Sequence, residues 1–122
     1  MLKIIAPQDC DNAPKRRLIK DLNIAFANAD VPALLPYFHE DIVWEMVNDR
    51  TISGIDNVAE FLRSMQHLKA KTLTIEYVIT HGKLASANGI MDFGDKQIRF
   101  ADFYEFTSAG AQKIKRIVSY AF

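Results

Sequence analysis

The turns of the second half of this chain constrain its fold more than any other feature. From Thr72 onward the residues run in strand-like stretches interrupted only at Gly82-Lys83, Gly94-Asp95 and Ser108-Ala109-Gly110. Connections this short leave no room for a crossover, so each strand must run antiparallel to the one before it. Strands are expected over 72–81, 84–93, 97–106 and 113–120.

Upstream the spacing becomes helical. Pro14, preceded by the capping candidates Asp11 and Asn12, opens a helix over 14–28 with Leu18, Leu22, Ala25, Phe26 and Ala29 on one face. Asp30 caps a second helix over 31–38, with Pro32 in its first turn and Leu34, Leu35 and Phe38 as its apolar contacts. Ser53 and Asp56 have capping-box spacing at the head of a third helix that ends near residue 66 or 67, with Ile55, Val58, Ala59, Leu62 and Met65 on one side. A strand rich in β-branched and aromatic residues, 42–48, lies between the second and third helices. The expectation is one α+β domain over 1–122, three N-terminal helices packed on an antiparallel sheet, with residues 1–13 as an N-terminal extension.

Strand faces carry further information. Ile98, Phe100, Asp102, Tyr104 and Phe106 share one face of their strand, and Arg99, Ala101, Phe103 and Glu105 the other. In the last strand Ile117, Ser119 and Ala121 oppose Arg116, Val118, Tyr120 and Phe122. Aromatics on both faces imply that the side away from the helices is covered too, and a second subunit is the simplest cover, so a homodimer is expected with Phe103, Val118, Tyr120 and Phe122 near the contact.

With 15 Lys and Arg against 15 Asp and Glu, no net charge favours nucleic acid or anionic lipid. The Lys15-Arg16-Arg17 run reads as a solvated helix start. No stretch approaches the length of a membrane span, and the apolar run in Met1–Pro7 is too short for a secretory signal. Cys10 is the single cysteine, which excludes an intrachain disulfide and fits a reducing, cytoplasmic setting, and no cationic neighbour marks it as a catalytic thiol. His39, His67 and His81 have no metal-ligand spacing, and phosphate loops and nucleophile elbows are absent, so neither metal nor organic cofactor is expected.

Four stretches have a familiar order: Ala29-Asp30-Val31-Pro32-Ala33-Leu34, then Tyr37-Phe38-His39-Glu40-Asp41-Ile42-Val43-Trp44-Glu45, then Ile52-Ser53-Gly54-Ile55-Asp56-Asn57-Val58, and Ala101-Asp102-Phe103-Tyr104-Glu105-Phe106 followed by Gly110 and Lys113-Ile114. Together, over residues 14 to 121, they resemble the nuclear-transport-factor-2-like superfamily and its SnoaL-like, ketosteroid-isomerase-like branch. The resemblance implies a cone-shaped (cystatin-like) fold, a curved sheet enclosing a pocket for an apolar small molecule. It places Glu45 at the family's general base and Asp102 at the acid that stays protonated to stabilise an enolate, a pair of roles that is a standard case of environment-tuned carboxyls. Leu22 stands where the family carries its oxyanion-binding tyrosine, and Tyr77, Tyr104 and Tyr120 are the possible replacements.

The pocket lining expected on this basis is Leu22, Phe26, Val43, Val47, Phe61, Phe100 and Tyr104. Glu45 serves as a base only if it faces inward with Val43 and Val47 and Trp44 faces away; the opposite pleat is the alternative. The implied activity is a cofactor-independent isomerase or lyase acting on an apolar carbonyl compound. A non-catalytic ligand-binding or dimeric assembly domain is the rival. An epoxide-hydrolase-like hydrolase comes third, because Arg99 and Asp102, three residues apart on a strand, point to opposite faces.

Overall fold

The computed structural model describes all 122 residues. Strand β1 (Lys3–Ile5) is followed by a short 3-10 turn, helix α1 (Pro14–Ala27) and helix α2 (Val31–Leu34). Then come β2 (Phe38–Met46), β3 (Arg50–Ser53), helix α3 (Ile55–Ser64) and four long strands, β4 (Thr72–His81), β5 (Leu84–Asp92), β6 (Gln97–Phe106) and β7 (Ile114–Ala121). All seven strands form one curved sheet in the order β1-β4-β5-β6-β7-β2-β3. The expected α+β architecture holds, and β4 to β7 form the antiparallel meander that the turns dictate.

Several local expectations need correction. The sheet also contains two parallel pairings, β2 with β7 and β1 with β4, and the sequence reading assigned no element to the first of the residues involved, Lys3–Ile5. Asn48 adopts a left-handed φ of 64°, which asparagine tolerates, so the chain turns after Met46 and returns as β3 instead of continuing to residue 48. The second helix stops at Leu34: Pro36 has no N–H to continue the ladder, a 3-10 turn follows, and Phe38 is already strand. The Ser53–Asp56 capping box does not form, since Gly54, with φ 88°, is the N-cap without a side-chain hydrogen bond. Lys15 is not merely solvated. Its ammonium donates to the carbonyls of Gly82 at 2.8 Å and Ala109 at 2.6 Å and lies 4.5 Å from the Phe106 ring centroid, pinning α1 to two turns.

The main core lies between the helices and the concave face: Ile19, Leu22, Leu34, Phe38, Ile42, Val58, Phe106, Ile114 and Ile117 are buried there. Concavity originates where β4 meets β5. The register slips between Ile75 and Tyr77, leaving Glu76 as a bulge that bends the strand and inverts its pleat. Gly89 lies opposite Ile75, and a Cβ placed on it would sit 1.9 Å from the Thr74 carbonyl oxygen and 3.0 Å from the Phe100 ring. Only a residue without a side chain allows that approach. Gly89→Ala is therefore expected to destabilise the fold by about 2 kcal/mol or more, in the range of overpacked cores; chemical denaturation should show the loss as a lower midpoint, and an unchanged midpoint would contradict the packing described.

Candidate functional site

Helices α1, α2 and α3 and the concave sheet enclose a cavity of about 390 Å³, a volume common among small-molecule sites. Of its 23 lining residues 18 are apolar. One wall is aromatic: the Trp44 ring centroid lies 5.5 Å from that of Phe26 and 5.7 Å, edge-on, from that of Phe61. Met46, Met65 and Met91, three of the chain's four methionines, line other parts and give walls that can adapt to shape. Exposed Asp49 and Lys96 mark the mouth.

The polar groups deeper in the cavity are few and connected. Asp102 lies on the concave face of β6, and the Tyr104 hydroxyl, two residues along the same face, donates to its Oδ2 at 3.1 Å. Asn23 on α1 donates through Nδ2 to the Ile19 carbonyl at 2.9 Å and to the Tyr104 oxygen at 3.2 Å. Ser119 on β7 is the direct cross-strand partner of Asp102, and the Trp44 indole N–H donates to Ser119 Oγ at 2.9 Å. Burial in apolar surroundings pushes the Asp102 carboxyl up to about 6, and the Ser119 and Tyr104 hydroxyls hold it lower than burial alone would. The Tyr104 phenol, fully buried beside that carboxyl, is pushed well above its ordinary value, first by desolvation and then by the Asp102 charge.

Of the residues expected from sequence, Asp102, Phe26, Val47, Phe61, Phe100 and Tyr104 line the cavity. Glu45 does not. The pleat of β2 turns Trp44 and Met46 inward, so Glu45 and Val43 point to the convex side, where Glu45 Oε1 accepts a hydrogen bond from Arg116 at 3.2 Å. Val47 reaches the cavity because it lies beyond the end of the strand, in the turn. Leu22 is fully buried in the core and does not border the cavity; the next residue on α1, Asn23, does. Tyr77 is thrown outward by the Glu76 bulge and is 66% exposed, and Tyr120 packs on Phe103 on the convex face, so neither supplies an oxyanion donor. Arg99 pairs with Glu76 on the face away from Asp102, which leaves the epoxide-hydrolase arrangement unassembled.

None of the three histidines borders the cavity. His39, Glu40 and Asp41 bring potential ligand atoms within 4.8 Å of one another outside it, with both carboxylates exposed. Cys10 is buried, and that burial, reinforced by Asp9, pushes its thiol up and away from nucleophilic use. Sequence reasoning missed Asn23, Ser119 and Trp44 as cavity groups. Asn23 carried a signal, being a polar residue one turn after Ile19 in an otherwise apolar stripe. Ser119 became visible only with the β6–β7 register.

The model of the SnoaL-like domain family matches residues 19–117, and so encompasses every group of the polar chain except Ser119. The chain belongs to the SnoaL-like domain family. Solved structures with the same fold include a nuclear-transport-factor-2-like protein of unknown function from Cytophaga hutchinsonii, 24% identical with a TM-score of 0.70 over 87% of this chain and 97% of that one. A protein described as a SnoaL-like polyketide cyclase from Shewanella denitrificans is 18% identical with a TM-score of 0.75 over 90% and 92% of the two chains. An LEH-like epoxide hydrolase of M. tuberculosis is 20% identical with a TM-score of 0.70 over 87% and 80%. At these identities the likeness is one of fold. A search of the curated proteins finds no match.

In this SnoaL-like domain the half-buried cavity carboxyl of Asp102 links stability to pH. Its folded value, about 6, is raised above the 3.8 of an unperturbed aspartate, so the native state holds the proton more tightly than the unfolded chain. That contribution is fully present below the unfolded value and is lost as pH rises through about 6; a shift of this size corresponds to roughly 2 to 3 kcal/mol. Asp92, lowered by the Gly94 N–H, and Glu105, lowered by Lys83, act in the opposite sense but are common to wild type and variant. The stability of Asp102→Asn relative to wild type should therefore rise by that amount between about pH 4 and pH 8. Urea titrations at both pH values measure it, and a pH-independent difference would contradict the burial of Asp102.

Proposed function

We propose that this domain binds an apolar carbonyl compound and moves a proton between its carbon atoms, with Asp102 as the base. The observation that carries the proposal is a single carboxylate, raised toward neutrality, deep in an apolar cavity where the Tyr104 hydroxyl donates to it and Ser119 stands directly across the strand pair. A base near neutral pH that can take a proton and return it is what such chemistry requires. Asp102 would remove a proton from the carbon next to the carbonyl, the C–H electron pair forming the enolate. The protonated carboxyl would then return the proton to another carbon of the conjugated system, giving an isomerisation without a cofactor. In a substrate with a leaving group on the adjacent carbon, the same abstraction would give an elimination.

With Glu45 outside the cavity, base and acid become two states of one residue. Tyr104 is committed to Asp102 and Asn23, and Leu22 replaces the oxyanion tyrosine of the resemblance, so enolate charge would have to be spread through the substrate itself. Substrates whose C–H is already acidified by conjugation meet that condition.

The alternative is a ligand-binding or assembly domain without turnover, favoured by the missing second donor. Assembly has its own support. Tyr77, Ile79, Leu84 and Phe103 are each more than half exposed on one side of the sheet, and a second copy of the chain is the proposed cover. Light scattering at micromolar concentration should give twice the 13.9 kDa chain mass, and a monomer mass would overturn the dimer.

Deuterium-exchange NMR of enones and conjugated ketones tests the catalytic reading. Asp102→Asn should slow exchange at carbon by roughly 10²-fold or more, while Glu45→Gln leaves it unchanged. Binding without exchange that depends on Asp102 would favour the ligand-binding reading for that class.

A further inference from the structure

We infer that Ser119 and Trp44 are positioning residues for Asp102, holding the hydrogen bonds of the cavity in the one polarity that keeps this carboxyl a proton acceptor. The assignment takes the proposed role of Asp102 as its starting point, but it rests on a separate geometric fact. Both ends of the hydrogen-bonded chain present an N–H to it, the indole of Trp44 and the amide Nδ2 of Asn23. An indole N–H has no lone pair to offer, so at 2.9 Å from Trp44 Nε1 the Ser119 oxygen must accept, and its single proton is left for Asp102, directly across the strand pair. At the other end Asn23 Nδ2 is held by the Ile19 carbonyl at 2.9 Å, which fixes the amide with its N–H groups toward Tyr104. The Tyr104 oxygen therefore accepts from Asn23, and its proton goes to Asp102 at 3.1 Å.

A free serine hydroxyl could instead rotate and accept a proton from a neutral Asp102. With the Trp44 N–H already on the oxygen, accepting from Asp102 as well would leave the Ser119 proton without an acceptor, so the bond from Trp44 favours donation to the carboxyl. The arrangement leaves Asn23 Oδ1 buried with no partner. Turning the amide would set Oδ1 against the Ile19 carbonyl that Nδ2 now contacts at 2.9 Å, two acceptors face to face, which favours the orientation with the N–H groups toward Tyr104. The relay runs across β6, β7 and β2, so the state of the carboxyl is carried to the one tryptophan of the chain.

That tryptophan allows a test without a known ligand. A ¹H–¹⁵N NMR spectrum of the whole chain contains a single indole signal, that of Trp44. The other charged or titratable groups bordering the cavity are Asp49 and Lys96 at its mouth and Tyr104, and neither Asp49 nor Lys96 perturbs Asp102. From about pH 4 to about pH 8 the indole signal should follow the same curve as the Asp102 side-chain carboxyl ¹³C signal, and it should become flat in Asp102→Asn. Ser119→Ala should uncouple the indole from pH and move the carboxyl midpoint upward, because a donor is lost. Trp44→Phe should also raise that midpoint, and Ser119→Thr, which keeps the hydroxyl, should restore both behaviours. A wild-type indole signal that is flat over this range, or a Ser119→Ala variant with carboxyl and indole curves unchanged, overturns the inference. Exchange at carbon is not read in this experiment, so failure of the catalytic proposal and failure of the relay are told apart.

Discussion

The Thr74 carbonyl oxygen lies where the Cβ of any residue but glycine at position 89 would have to be, and the shape of the molecule depends on that contact. With Gly89 and the neighbouring Glu76 bulge, β4 and β5 bend together; a flat pairing would leave the concave face too shallow to hold a cavity. The Phe100 ring occupies space next to Gly89 and becomes cavity wall. Past the bulge the pleat inverts, which sends Tyr77 and Ile79 to the convex side and Val78 toward the core. One backbone approach therefore shapes the cavity, selects its lining and creates much of the exposed apolar face.

Within that cavity two opposing effects act on Asp102. Desolvation disfavours the charged carboxylate, and the Tyr104 and Ser119 hydroxyls favour it. Desolvation is the larger, which leaves the group poised near neutrality rather than in the ordinary carboxylate range. Deeper burial without the donors would keep the acid neutral; donors without burial would make it a weak base. Tyr104, Asn23, Ser119 and Trp44 come from a helix and three strands, so the balance exists only in the assembled fold. This scaffold hosts unrelated activities, as the cyclase and epoxide-hydrolase descriptions of its structural relatives illustrate, and the chemistry must be argued from such groups rather than from the fold.

The glycine-punctuated meander, the Pro14 and Pro32 helix starts and the inward face of β6 were legible in the residues alone, because each follows from local rules: turn length, missing N–H groups and a period of two. Asp102, Tyr104 and Phe100 were correctly placed on one face for that reason. Glu45 was not decidable in the same way. Apolar and aromatic residues fall on both sides of β2, so the alternation had no preferred phase, and only the parallel pairing with β7 turned Trp44 in and Glu45 toward Arg116. Leu22 and Asn23 are neighbours on α1 whose roles depend on how the helix rolls against the sheet. The Glu76 bulge leaves no mark in composition. Local sequence determined the elements, their order and most of their faces, since these depend on contacts within a few residues. The tertiary structure decided which carboxyl, which tyrosine and which helix residue meet in the cavity, because that depends on register and curvature set by pairings between distant strands.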